Sequence, residues 1–143
     1  MTAGLDLLRS FADLPDRPPF IGDLLGMTMD EIAHGKVVIS VSTRPDFANP
    51  LGTVHGGICA TLLDSAMACA VHSTLDAGAT YTTLELKVNY IRSASTAGAK
   101  LTATGTTVRI GRTIATAEGR VVDQDGTLIA HATTTCLISS ARS

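Results

Sequence analysis

The chain has 143 residues, 45% of them hydrophobic and 17% charged, with a net charge of −2. That length and composition suit one soluble domain with a full core. With 3% aromatic residues and no basic excess, they exclude a nucleic-acid footprint or a base-stacking platform. The three cysteines, Cys59, Cys69 and Cys136, form no metal or disulfide spacing and read as small core residues of a reducing, cytoplasmic protein. No basic-then-apolar leader and no apolar run long enough to span a membrane is visible.

The first twenty residues read as an extension. Residues 3–13 predict a short amphipathic helix with Leu5, Leu8 and Ala12 on one face, ended by Pro15, Pro18 and Pro19. Leu24–Ala33 and Lys36–Thr43 predict two strands joined by a tight turn at His34-Gly35. In the second, Val37, Ile39 and Val41 share one face.

The stretch Phe47–Ala70, FANPLGTVHGGICATLLDSAMACA, organises the rest of the chain. A turn-rich loop, Asn49-Pro50-Leu51-Gly52, leads through His55-Gly56-Gly57 into an apolar helix that runs to about Leu75, with Gly78 as its stop. A glycine pair opening a helix leaves N–H groups uncovered at the positive end of the helix dipole, where an oxygen with developing negative charge is stabilised. Asp64, two turns further in on a helix otherwise fit for burial, is costly unless paired, hydrated or functional. Around the helix, Cys59, Leu62, Leu63, Ala66, Cys69 and Ala70 form a side to face a sheet, while Thr61, Asp64, Ser65 and His72 fall on the other.

The second half reads as strands. Tyr81–Arg92 alternates, with Thr82, Leu84, Leu86, Val88 and Tyr90 on one face and Thr83, Glu85, Lys87 and Asn89 on the other. Runs at 99–109, 112–122 and 127–138 follow, punctuated by Gly111 and by Asp125-Gly126. Two strands, one long apolar helix and four closely linked strands predict an α+β fold, an antiparallel sheet of about six strands curled around the helix.

Asn49-Pro50-Leu51-Gly52-Thr53-Val54-His55-Gly56-Gly57, followed by Ala60-Thr61-Leu62-Leu63-Asp64, resembles the signature of the hotdog-fold acyl-CoA thioesterases of the phenylacetate-pathway (PaaI-like) subfamily. Lys87-Val88-Asn89-Tyr90-Ile91-Arg92 is similar to the family's third strand, and the resemblance spans roughly residues 24–138. It implies a hotdog fold, subunits that pair by joining sheets, and assembly as a homodimer or a homotetramer built as a dimer of dimers. It also implies an active site at the subunit interface. Carried over, Asn49 positions water or substrate, His55 supports the loop or thioester, the Gly57 N–H polarises the carbonyl, and Asp64 of the other chain is nucleophile or general base. Thr83 falls where relatives place a Ser or Thr that contacts the water or the carboxylate; some have Ser there.

Spacing leads independently to a shared site. Gly57 and Asp64 lie seven residues apart, about 10 Å along a helix. Reacting groups must approach to about 3–3.5 Å. One protomer therefore cannot supply both: either a partner helix supplies Asp64, or Asp64 is not catalytic. Thioester hydrolysis needs an oxyanion donor and an activated water or carboxylate, with no metal or other cofactor. Gly56 belongs to the same terminus, and Arg92, with Arg109 and Arg112 flanking Gly111, are the cations available for the anionic end of coenzyme A.

Each feature also has a structural explanation. Asn49 before Pro50 is a common Asx-turn residue. His55 can anchor a loop, Gly56-Gly57 can serve close packing, and Asp64 can be an interface hydrogen-bonding group. His55 and Cys59 stand four apart, the spacing of a facing Cys–His pair, but Cys59 falls on the core face. No GxSxG, HExxH, CxxC, Walker or dinucleotide-binding motif is present. The sequence thus reads as an acyl-CoA thioesterase acting on aryl-, arylacetyl- or medium-chain acyl groups. A non-catalytic acyl-CoA-binding hotdog domain is the alternative. A hotdog hydratase needs a histidine beside the carboxylate, and no dedicated one is present.

Overall fold

The computed structural model describes residues 3–140. Its elements are α1 (Ala3–Asp13), α2 (Ile21–Leu25), β1 (Thr28–Ala33), β2 (Lys36–Ser42), α3 (Gly56–His72), β3 (Thr80–Tyr90), β4 (Lys100–Ile110), β5 (Ile114–Val122) and β6 (Leu128–Ser139). The six strands form one antiparallel sheet in the order β1-β2-β4-β5-β6-β3. This sheet curls around α3, which touches all of β2 to β6, giving the expected hotdog arrangement. Ser139 ends β6, and residues 141–143 lie outside the described residues.

The core is the apolar side of α3 against the inner face of the sheet. Leu62, Leu63, Ala66, Met67, Ala70 and Val71 are fully buried against Val37, Ile39, Leu101, Ala103, Ala115, Val121 and Ala130. The helix lies close to the sheet because Gly105 on β4 pairs with Gly119 on β5 beneath it. A Cβ at Gly105 would strike the Ala66 carbonyl. Since α3 touches every strand from β2 to β6, its buried side is broader than the expected set. It takes in Met67, Ala68 and Val71, and leaves Cys69 only half-buried.

Four expectations are corrected. Leu24 and Leu25 do not begin a strand; they close the short helix α2, capped by Gly26 in the left-handed region at φ 76°, and β1 starts only at Thr28. In α1, Leu5 and Leu8 are buried but Ala12 is exposed, and Arg9 reaches from this helix to donate to the Ile32 carbonyl on edge strand β1 at 2.9 Å. Helix α3 ends at His72 rather than near Leu75, and its stop is Ser73, not Gly78. The Ser73 hydroxyl donates back to the Ala70 carbonyl at 2.6 Å.

The fourth correction concerns β3. Its register on β6 steps between Thr83 and Glu85, which pair with Cys136 and Thr135, so Leu84 is the extra residue of a β-bulge. Strict alternation puts Thr83 on the face opposite Leu86, Val88 and Tyr90. The bulge switches the phase, so Tyr81 and Thr83 before it share the helix-facing side with Leu86 and Val88 after it. Leu84 is left exposed.

Candidate active site

The loop before α3 is held by its own polar groups. Asn49 Oδ1 accepts from the N–H groups of Leu51 (2.9 Å) and Thr53 (3.2 Å), and its Nδ2 donates to Thr53 Oγ1 at 3.0 Å. The Asn49 side chain therefore shapes the turn in the way an Asx-turn residue does. Val54 N–H donates to the Ala94 carbonyl, tying this loop to the segment that follows β3, and His55 N–H donates to the Phe47 carbonyl within the loop.

His55 is the N-cap of α3, and its Nδ1 accepts the Gly57 N–H at 2.8 Å. A ring accepting at Nδ1 carries its proton on Nε2. On the other side of the same turn, Tyr90 Oη donates to the Gly56 carbonyl at 2.7 Å. A groove of about 540 Å³ opens here, lined among others by Asn49, His55, Gly56, Gly57, Tyr90 and Arg92. Five of the sequence-derived residues thus gather at the N-terminus of α3. Tyr90 is the residue that sequence reasoning passed over; its only signal was its place at the end of β3, next to Arg92.

Asp64 lies apart from this groove, on the side of α3 that meets β3. Its Oδ1 accepts the Thr83 hydroxyl at 2.9 Å, and both residues are half-buried. No ion pair among the described residues involves Asp64. Its surroundings resist ionisation. Burial pushes the Cys69 thiol up to about 11, with the Asp64 charge adding to the effect. Burial also raises the Tyr81 phenol, aided by Cys69 and Asp64. His72, packed on the Tyr81 ring at 5.4 Å between centroids, is held below its ordinary value by burial. The result is a carboxylate oriented by one hydroxyl, among groups that stay neutral near pH 7.

Two further expectations can be placed. Arg112 is exposed on the β4–β5 turn beside Thr74–Ala77, past the C-terminal end of α3. It is therefore at the opposite end of the helix from the glycine pair, and one protomer does not bring the two together. Cys59 is buried, and burial pushes its thiol up to about 11, while His55 Nδ1 is committed to Gly57. That removes the Cys–His arrangement. Among the described residues no cluster of His, Cys, Asp and Glu could hold a metal, and no helix is long and apolar enough to cross a membrane.

The profile of the thioesterase superfamily matches residues 51–130, which includes the glycine pair, Asp64, Thr83 and Tyr90. Acyl-coenzyme A thioesterase 13 of Mus musculus is 30% identical over 115 residues, covering 80% of this chain and 81% of its own. The crystal structure of a phenylacetic acid degradation-related protein from Ralstonia eutropha superposes with a TM-score of 0.78 at 32% identity, covering 94% of this chain and 98% of that one. A variant of the phenylacetic acid degradation protein PaaI from Thermus thermophilus gives a TM-score of 0.75 at 31% identity, covering 81% and 96%.

Proposed function

The chain belongs to the thioesterase superfamily, in its PaaI-like branch, as a thioester hydrolase, and from that premise we propose that it hydrolyses acyl-CoA thioesters at a site shared by two protomers. The observation that carries the shared site is the place of Asp64. Thr83 holds its carboxylate at the flank of β3, about 10 Å along α3 from the glycine pair of the same chain. The strand beside it is the long outer edge of the sheet, the kind of edge that pairs with another chain. Pairing of two such edges sets one protomer's Asp64 against the partner subunit's Gly57. The other sheet edge, β1, already has Arg9 bonded to its Ile32 carbonyl.

In this reading the thioester oxygen takes the Gly57 N–H from His55 Nδ1, and the N–H stabilises the oxyanion. Asp64 either activates water or attacks the carbonyl itself, with the Thr83 hydroxyl fixing which oxygen faces the substrate. The C–S bond breaks and CoA leaves as thiolate, which takes up a proton; in the first variant the attacking water's oxygen ends in the free acid, and in the second water then hydrolyses the acyl–Asp64 anhydride to release the acid and restore the carboxylate. Neither variant needs a metal. Arg92 at the groove supplies a cation for the CoA phosphates; Arg112 serves only if another protomer brings it to a groove. The acyl group is of the aryl, arylacetyl or medium-chain class, and the working form is a homodimer or a dimer of dimers.

The test is thiol release from acetyl-, hexanoyl-, benzoyl- and phenylacetyl-CoA by the purified protein beside Asp64→Ala. Turnover abolished by the substitution supports the proposal. Turnover that survives it unchanged removes Asp64 from the mechanism. Tight binding of acyl-CoA without any thiol release identifies a binding domain instead.

A further inference from the structure

We propose that Tyr90 is a positioning residue for the oxyanion donor, acting through the peptide bond between Gly56 and Gly57. This inference rests on the reading above, in which the Gly57 N–H receives the thioester oxygen.

Gly56 C=O and Gly57 N–H belong to one planar peptide unit. Side chains grip both ends of that unit. Tyr90 Oη donates to the carbonyl at 2.7 Å, and His55 Nδ1 accepts from the amide at 2.8 Å. A hydrogen bond donated to an amide oxygen draws electron density through the amide, which makes its N–H a stronger donor. Tyr90 therefore does two things to the proposed catalytic amide: it fixes the rotation of the peptide plane and it polarises the plane toward the substrate.

The local packing is consistent with a built contact. A Cβ at Gly56 would sit 3.0 Å from the Tyr90 hydroxyl and 3.1 Å from its ring, so glycine at this position leaves the space the phenol uses. Tyr90 ends β3, and its side chain turns toward α3 because the bulge at Leu84 has reset the phase of the strand. The same strand thus seats the carboxylate through Thr83 and the oxyanion peptide through Tyr90. Burial raises the phenol above its ordinary value, with Cys59 adding to it, so Tyr90 remains a donor across the neutral range.

When a thioester displaces His55 from the amide, the Tyr90 bond persists on the carbonyl side, beside the helical bond that the same carbonyl accepts. Its loss is felt in the chemical step and not in substrate capture, because the aromatic ring still lines the groove in a phenylalanine variant.

The experiment is Tyr90→Phe in the full chain, assayed on whichever CoA thioester the wild type turns over, together with the Gly57 amide resonance in ¹⁵N-labelled protein without substrate. We expect kcat to fall by about 10-fold, less than loss of a direct oxyanion donor, with KM within about twofold. We also expect the Gly57 amide proton to move upfield while the melting temperature stays close to that of the wild type. An unmoved Gly57 amide overturns the inference, whatever happens to the rate. So does an unchanged kcat, or a rise in KM alone. A wild type that cleaves no thioester overturns the hydrolytic reading instead, and the Gly57 resonance then decides by itself whether Tyr90 grips the peptide.

Discussion

Thr83 on β3 donates its hydroxyl to Asp64 on α3 at 2.9 Å, so the carboxylate of the long helix is seated by the outermost strand of the sheet. The bond exists because one extra residue, Leu84, shifts the strand's phase and turns Thr83 inward. A hydrogen bond to a charged group is worth about 1.5–3 kcal/mol. Thr83→Val, which keeps the shape and removes the donor, is expected to lower kcat by about 10-fold or more. Thr83→Ser should retain most of the rate. Asp64→Asn should cost about 10²–10⁴, the range for a catalytic acid or base. Steady-state thiol release measures all three, and a Thr83→Val enzyme equal to wild type would leave the hydroxyl without a role.

The proposed sharing of the site between two protomers makes a prediction about mixtures. Chains carrying Asp64→Ala or Gly57→Val are each expected to be inactive on their own, and the two are then co-expressed. The second substitution puts a side chain against the His55 ring, 3.0 Å from Nδ1 at its Cβ. Random pairing restores one intact site in half of the dimers, about a quarter of the wild-type sites. Recovery of activity in the mixture is the expected outcome. A mixture as silent as its parents places both groups in one chain. The native mass of the wild type should likewise be at least that of two chains.

The cysteines should be chemically quiet. With the Cys59 and Cys69 thiols raised to about 11 by burial, only about one in a thousand is thiolate at pH 8. Iodoacetamide should therefore label the folded protein slowly and the denatured protein quickly. Cys59→Ala should keep its activity. Fast labelling at Cys59 with loss of turnover would revive the cysteine mechanism.

Gly105 tests the packing beneath α3. Gly105→Ala drives a methyl group into the backbone of Ala66 and Met67, where no flexible side chain can yield. Overpacking of this kind costs about 1–3 kcal/mol. For a chain of this length that is a fall of about 2–4 °C in melting temperature per kcal/mol, readable by circular dichroism. An unshifted melt would mean that the helix does not lie as close to the sheet as the paired glycines imply.

Much of the architecture was legible from the residues. Val37, Ile39 and Val41 announced a strand with one buried face, and that face is buried. Asp125-Gly126 marked a hairpin, and Gly126 takes φ 80° in it. The start of α3 was legible because His55-Gly56-Gly57 is a local signal read over a few residues. The reading failed where two neighbours compete. Leu24 and Leu25 continued the apolar pattern of the strand that follows them, but Gly26 closes a helical turn over them. Ser73 ends α3 because a buried hydroxyl satisfies the last turn, which no periodicity shows.

By itself the sequence determined the succession of strands and helices along the chain, the apolar helix, the glycine-opened terminus and the lone carboxylate that such a helix does not otherwise tolerate. These follow from local geometry: periods of two and 3.6 residues, turn chemistry and the cost of burying charge. Short links suggested that β3 would lie beside β4, and the sheet instead places it beside β6. Only the tertiary structure decided that Thr83 meets Asp64, that Tyr90 meets Gly56, and that Arg112 stands at the wrong end of the helix for its own chain. Those relationships depend on how β3 registers against β6, and the extra residue in that pairing is fixed by a strand more than forty positions away along the chain. A pattern with period two continues unbroken through Leu84 on paper; it changes phase only when the opposing strand offers one residue for two.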